Sequence, residues 1–138
     1  MAVHGTEAPG DVCPPQAAGR FYPASREHLS QALQGFLAGS QRPVGSGPAV
    51  ALVVPHAGYT YSGRIAGRAY ACVDGTRVER AVVLAPSHSA AFRGLGVGLF
   101  RAFRTPLGDL PVDAAVCGLL LAAQIFVFRV WVKTAIIE

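Results

Sequence analysis

Six consecutive apolar residues, stopped by a proline and followed at once by a histidine, constrain this chain more than any other stretch: AVALVVPHAGYTYSG, residues 49–63. The run AVALVV is continuous rather than alternating, which predicts a strand covered on both faces, as in an α/β sheet. Pro55 has no N–H to give to a ladder, so the strand is expected to end there. That puts His56 just past the carboxyl end of a buried strand, where open α/β sheets bind their ligands. Ser62 then stands as an N-cap for a helix carrying Ile65, Ala66, Ala69, Tyr70 and Val73 at helical spacing.

The pattern recurs. Residues 80–85, RAVVLA, form a second short apolar run that ends on Pro86 and delivers His88. Two parallel strands joined by a right-handed helical crossover would bring His56 and His88 to the same rim of one sheet. Residues 94–100, GLGVGLF, predict a third strand with close backbone approach. Ahead of the central run, Ser25 caps a helix with Leu29, Leu33, Phe36 and Leu37 on one face, and Gly39 ends it. Residues 40–48 are a connecting loop and residues 1–15 a flexible lead-in. Residues 105–111, TPLGDLP, predict a rigid loop, with Asp113 as N-cap of a last helix.

From residue 114 the chain is largely apolar. About 15 residues pass without a charge before Arg129, short of the roughly 20 that cross a bilayer, so a buried helix to about Gln124 and a β-rich run over 125–132 are expected. Hydrophobic residues are 51% of the 138 and charged residues 14%, low for a soluble domain, where about a quarter are charged. The net charge of +4 comes from 12 basic residues scattered against 8 acidic ones, without the stripe a nucleic-acid surface needs. The three cysteines, Cys13, Cys72 and Cys117, are too few and too far apart for a secreted disulfide framework, which fits a reducing, cytoplasmic setting. No signal peptide is expected, since no basic segment precedes an apolar one at the N-terminus.

A neutral imidazole is the commonest ligand for transition metals, but a catalytic metal takes about three protein ligands. His56 and His88 therefore need a partner, and Cys72, Cys117, Asp109, Asp113, His4 and His28 are the candidates within the chain. Tyr59 and Tyr61 could orient a ligand or a proton, or anchor the loop by packing. No P-loop, GxGxxG or GxSxG is present to support an NTPase, dinucleotide or serine-hydrolase reading.

Four motifs in order, AGRFYP (residues 18–23), PHAGYTYSG (55–63), APSH (85–88) and TPLGDLPVD (105–113), resemble the Memo family, whose bacterial and archaeal members are called AmmeMemoRadiSam system protein B. The resemblance implies an α/β sandwich around a central, mostly parallel sheet, related to class III extradiol dioxygenases and truncated here to an N-terminal half. It covers about residues 16–116, leaving 117–138 as a divergent apolar tail. It further implies His56 and His88 as metal ligands, with iron or copper as the metal. The family's third ligand, a downstream cysteine, and an acid and histidine pair are not matched. The implied function is a non-haem-metal redox or modification enzyme working beside a radical-SAM partner. The alternatives are a peptide or phosphopeptide-binding module, as eukaryotic relatives are known to be, and an inactive fragment. Neither nucleic acid nor membrane is an expected partner, and self-association through an exposed edge or the tail is.

Overall fold

The computed structural model describes residues 11–38, 49–86, 88, 95–98, 100–123 and 132–137. They fall into two compact units, Pro15–Val78 and the combination of Met1–Pro14 with Glu79–Glu138. The architecture is mixed α/β, with three α-helices and two three-stranded sheets among the described residues, and neither sheet is closed.

Unit Pro15–Val78 is built on two helices. Ser25 caps α1 (Arg26–Ala38) as its position predicts: its Oγ accepts from the His28 N–H at 3.2 Å. Leu29 is buried and Leu33 and Phe36 are half-buried, whereas Leu37 is exposed, so the apolar face is narrower than its spacing implies. Gly39 and the loop to Pro48 lie outside the described residues. The second helix, α2 (Tyr59–Tyr70), starts three residues before Ser62. Ser62 is therefore not its cap. Its buried hydroxyl donates to the Ala57 carbonyl at 2.9 Å, and the cap position belongs to Gly58, which has no side chain to offer. The helix begins early because the Tyr59 N–H finds an acceptor outside it, the Phe21 carbonyl at 2.8 Å.

Gly63 and Gly67, one turn apart on α2, let α1 come close. A Cβ on Gly63 would meet the Phe36 ring at 2.5 Å, and one on Gly67 would meet the Phe36 backbone oxygen at 2.7 Å. At Gly67 glycine is a packing requirement, since a side chain there would meet backbone and push the helices apart, whereas one at Gly63 would displace the Phe36 ring.

Residues 49–54 overturn the strand expected of them. They are assigned to no sheet, and no backbone hydrogen bond joins them to another described residue. Val50 is 99% exposed and Val53 100% exposed. Periodicity reads a residue's preference for burial, but a strand exists only where a neighbour accepts its N–H and C=O groups.

In the other unit, β1 (Val12–Cys13) pairs in parallel with β4 (Ala102–Thr105), so that order begins inside the stretch read as lead-in. β4 turns back antiparallel into β5 (Gly108–Pro111), replacing the expected rigid loop by a hairpin. Thr105 Oγ1 closes the turn, donating to the Gly108 carbonyl at 2.8 Å and accepting from the Leu107 N–H at 3.1 Å. Gly108 adopts φ +144°, a conformation open to glycine. Arg104 and Asp109 face each other across the ladder and form a two-bonded ion pair at 2.8 and 3.0 Å. The prolines of this stretch bracket a turn and end an edge strand, positions where a missing N–H costs nothing.

The second sheet has the order β2-β6-β3. β2 (Ala81–Ala85) runs antiparallel to β6 (Val132–Ile137), and β3 (Leu95–Val97) parallel to it. β2 and β3 stand where the apolar runs predict strands, but Val82, Val83 and Leu84 are exposed rather than buried. The last helix, α3 (Ala114–Ala123), matches the expected span, and the β-run predicted for 125–132 lies almost entirely outside the described residues. Among those residues no helix is long and apolar enough to cross a membrane.

Asp113 caps α3 through Oδ1, which accepts from the Val116 N–H at 3.0 Å, while Oδ2 takes the Arg80 guanidinium at 2.7 Å. The Val116 bond holds its carboxyl below the usual carboxylate range; burial opposes it as the next-largest effect, and Arg80 adds to the lowering. A depressed folded-state pKa contributes stability above the unfolded value of about 3.9 and loses it as pH falls through the folded one. Thermal unfolding between about pH 6 and about pH 3 is thus expected to show a falling midpoint for the native chain, and an Asp113→Asn variant with a lower neutral-pH midpoint and a flatter acid limb.

Candidate functional site

A cavity of about 450 Å³ opens in unit Pro15–Val78 between the 19–23 turn and the faces of α1 and α2. Its walls include Arg20, Phe21, Tyr22, Phe36, Tyr59 and Arg64. The turn is held by local chemistry. Gly19 takes φ +78°, and its N–H donates to the Tyr22 carbonyl at 2.8 Å. The Tyr59 N–H bond to Phe21 then clamps the turn on the start of α2, and Gly58 makes the approach possible: a Cβ there would stand 3.2 Å from the Phe21 ring.

Tyr59 is the centre of an aromatic cluster, with its ring 5.8 Å from that of Tyr22 and 5.6 Å from that of Phe36, the latter edge-on at 75°. Burial pushes its phenol pKa up, reinforced by Tyr22 and Tyr70. Spectrophotometric alkaline titration is expected to lose a phenol ionising above the ordinary tyrosine value in Tyr59→Phe. Tyr61 is 85% exposed at the same cavity, so the two tyrosines named together by the sequence have different surroundings.

The electrostatics are one-sided. Arg20 and Arg64 both line the cavity, and among the described residues no acidic side chain does. The Arg20 guanidinium sits 5.3 Å from the centre of the Phe21 ring, a cation–π contact that holds it beside the opening. Arg64 follows Thr60 by one helical turn, so both reach the same wall of α2. Sequence reasoning named the aromatics of AGRFYP but neither arginine. The available signal was Thr60 and Arg64 at i and i+4 beside Tyr59.

His56 is exposed three residues ahead of α2, in unit Pro15–Val78. His88 is exposed at a bend three residues past Ala85, in the other unit. The remaining candidate ligands are otherwise engaged. Asp109 and Asp113 are in ion pairs with Arg104 and Arg80. The Cys72 thiol points back to the Arg68 carbonyl at 3.5 Å. Cys117 is buried, and burial, with Asp113 nearby, pushes its thiol pKa up, away from the thiolate a metal requires. His28 is exposed in the first turn of α1, and His4 lies outside the described residues. Among the described residues no three His, Cys, Asp or Glu side chains cluster so as to hold a metal ion.

The family model of Memo-like proteins matches residues 13–131. The chain belongs to the Memo family. Protein MEMO1 of Xenopus laevis is 42% identical over 109 residues, which are 79% of this chain and 36% of that one. The human protein of the same name is 38% identical over the same shares, and the memo-1 homolog of Caenorhabditis elegans is 38% identical over 79% of this chain and 31% of its own. The chain thus spans about a third of the length of the curated relatives it matches. The Memo match takes in both the cavity and the two exposed histidines.

Proposed function

We propose that this Memo-family chain binds peptides through an anionic aromatic side chain, of which phosphotyrosine is the type, in the cavity beside α2. The observation that carries the reading is the pairing of Arg20 and Arg64 with Phe21, Tyr59 and Tyr61 around one opening that, among the described residues, no carboxylate lines. A phosphate brings nearly two negative charges and acceptor oxygens that match the guanidinium fork, and an aromatic ring below it stacks on the cavity's own rings. The cavity lies within the range of about 300–1,000 Å³ usual for small-ligand sites. Titrating the chain by fluorescence polarisation with a tyrosine peptide, its phosphotyrosine form and a phosphoserine form tests this. Phosphotyrosine is expected to bind tightest, and equal affinity for all three would discard the reading.

A second reading keeps the family's metal chemistry. It is supported by His56 and His88 both being exposed and each following a proline-stopped apolar run. In that reading iron or copper takes both imidazoles and supplies redox chemistry of the AmmeMemoRadiSam type. Two imidazoles leave such an ion mostly water-coordinated, so binding is expected to be weak. Calorimetry with copper(II) or iron(II) should show it lost in His56→Ala and in His88→Ala; tight binding surviving both would place the ligands elsewhere.

A further inference from the structure

The net charge of +4 is unevenly placed. It falls entirely within residues 15–78, where six arginines stand against Glu27 and Asp74, whereas acidic and basic residues balance in the rest of the chain. Asp74 is already engaged: its Oδ1 accepts from the Thr76 N–H at 3.1 Å and from the Thr76 hydroxyl at 2.6 Å. Within this excess, Arg64 and Arg68 stand one turn apart on α2, both exposed and with no ion-pair partner among the described residues.

Arg68 has an ordinary structural use, since a cation in the last turn of a helix complements the carbonyl end of its dipole. That use does not account for its neighbours. Tyr61, Arg64, Ile65 and Arg68 recur at i, i+3, i+4 and i+7 and so share one face of α2. Tyr61 is 85% and Ile65 63% exposed, so this face joins two cations to apolar surface left in water. It is continuous with the cavity, because Tyr61 and Arg64 belong to both, while Arg68 lies beyond the cavity wall.

The spacing says what fits there. Arg64 and Arg68 are about 6 Å apart along the helix axis. In an extended peptide, residues i and i+2 point to the same side about 6.6 Å apart. A phosphotyrosine is long enough to carry its phosphate into the cavity, toward Arg20 and Arg64. A glutamate two residues away on the same side is shorter and stops at the open face, where Arg68 stands. Toward the start of α2, Ala57 to Thr60 bear no charge, so one flank of the peptide meets a cation on α2 and the other does not.

We propose that the ligand is an acidic phosphotyrosine peptide, whose glutamate or aspartate two residues from the phosphotyrosine pairs with Arg68 while the peptide covers Ile65. The proposal rests on the phosphotyrosine reading of the cavity and adds to it a specificity-determining residue outside the cavity.

Fluorescence polarisation with the full 138-residue chain tests it. A phosphotyrosine peptide with alanine at the two positions on either side is compared with versions carrying one glutamate at −2, −1, +1 or +2, each also made unphosphorylated. Glutamate at one of the two outer positions is expected to tighten binding about threefold, as exposed ion pairs do, and glutamate beside the phosphotyrosine to leave it unchanged. Arg68→Ala should erase that gain yet keep the preference for phosphotyrosine over tyrosine, and Arg68→Lys should keep most of the gain. Arg68→Ala weakening every peptide alike would overturn the proposal, leaving Arg68 a merely structural role at the helix end. Equal gains at all four positions overturn it in favour of a diffuse positive field, and a gain that survives Arg68→Ala overturns it by placing the acidic group against another residue. Loss of all phosphotyrosine preference overturns the cavity reading and this proposal together, whereas phosphotyrosine preference without any glutamate preference overturns this proposal alone.

Discussion

Gly67→Ala is expected to lower the thermal midpoint of unfolding while Gly35→Ala raises it, although both exchange a helical glycine for the best helix former. In an open helix the exchange gains about 1 kcal/mol, because glycine loses the most backbone freedom on folding. Gly35, within α1, has nothing within 4 Å of the position a Cβ would take, so that gain is expected in full. A Cβ on Gly67 would lie 2.7 Å from both the Phe36 Cβ and the Phe36 carbonyl oxygen. Backbone cannot rotate aside as a side-chain tip can, so α1 and α2 must separate, an overpacking cost of about 1–3 kcal/mol that outweighs the propensity gain. The same separation withdraws Phe36 from Tyr59, so Gly67→Ala should also disturb the aromatic cluster. Urea or thermal unfolding followed by circular dichroism measures both signs, and a stabilised Gly67→Ala would refute the close helix packing.

Arg64→Ala and Arg20→Ala are each expected to weaken phosphotyrosine-peptide binding by about tenfold, the low end of the range for hydrogen bonds to charged groups because both guanidinium groups are open to water. Arg20→Lys should recover less than half of the loss in binding free energy. It keeps the charge but gives up the planar fork and much of the stacking on Phe21. Raising ionic strength should weaken the native chain more than either variant, since fewer charges remain to screen. Peptide titration at two salt concentrations checks all three statements. A variant series with unchanged affinity would move the ligand away from this cavity.

Much of the local structure was legible before any coordinate. Ser25 and Asp113 mark the starts of α1 and α3 because a short oxygen-bearing side chain ahead of an apolar helix has an unsatisfied N–H within reach, an interaction contained in four residues. The runs at 81–85 and 95–97 become strands, and the aromatics of AGRFYP end up at the cavity they flank in sequence. Ser62 misled because the same hydroxyl has two local options, and the carbonyl of Ala57 won once Phe21 had taken the first amide of α2. The 105–111 stretch misled because prolines that forbid a central strand are tolerated at a turn and on an edge.

By itself the sequence determined the family, through four ordered motifs, together with the helix starts and the positions at which apolar runs stop at proline. These depend on interactions within a few residues or on a pattern long enough to exclude chance. Only the tertiary structure decided that Gly63 and Gly67 are packing sites, that Arg20 and Arg64 meet at one opening, and that residues 49–54 pair with no strand among the described residues. Each of those depends on which distant backbone comes within a few ångströms. Residues 49–54 are the sharpest case: hydrophobicity sets how much a segment gains from burial, but whether it is buried depends on a partner its own residues do not contain.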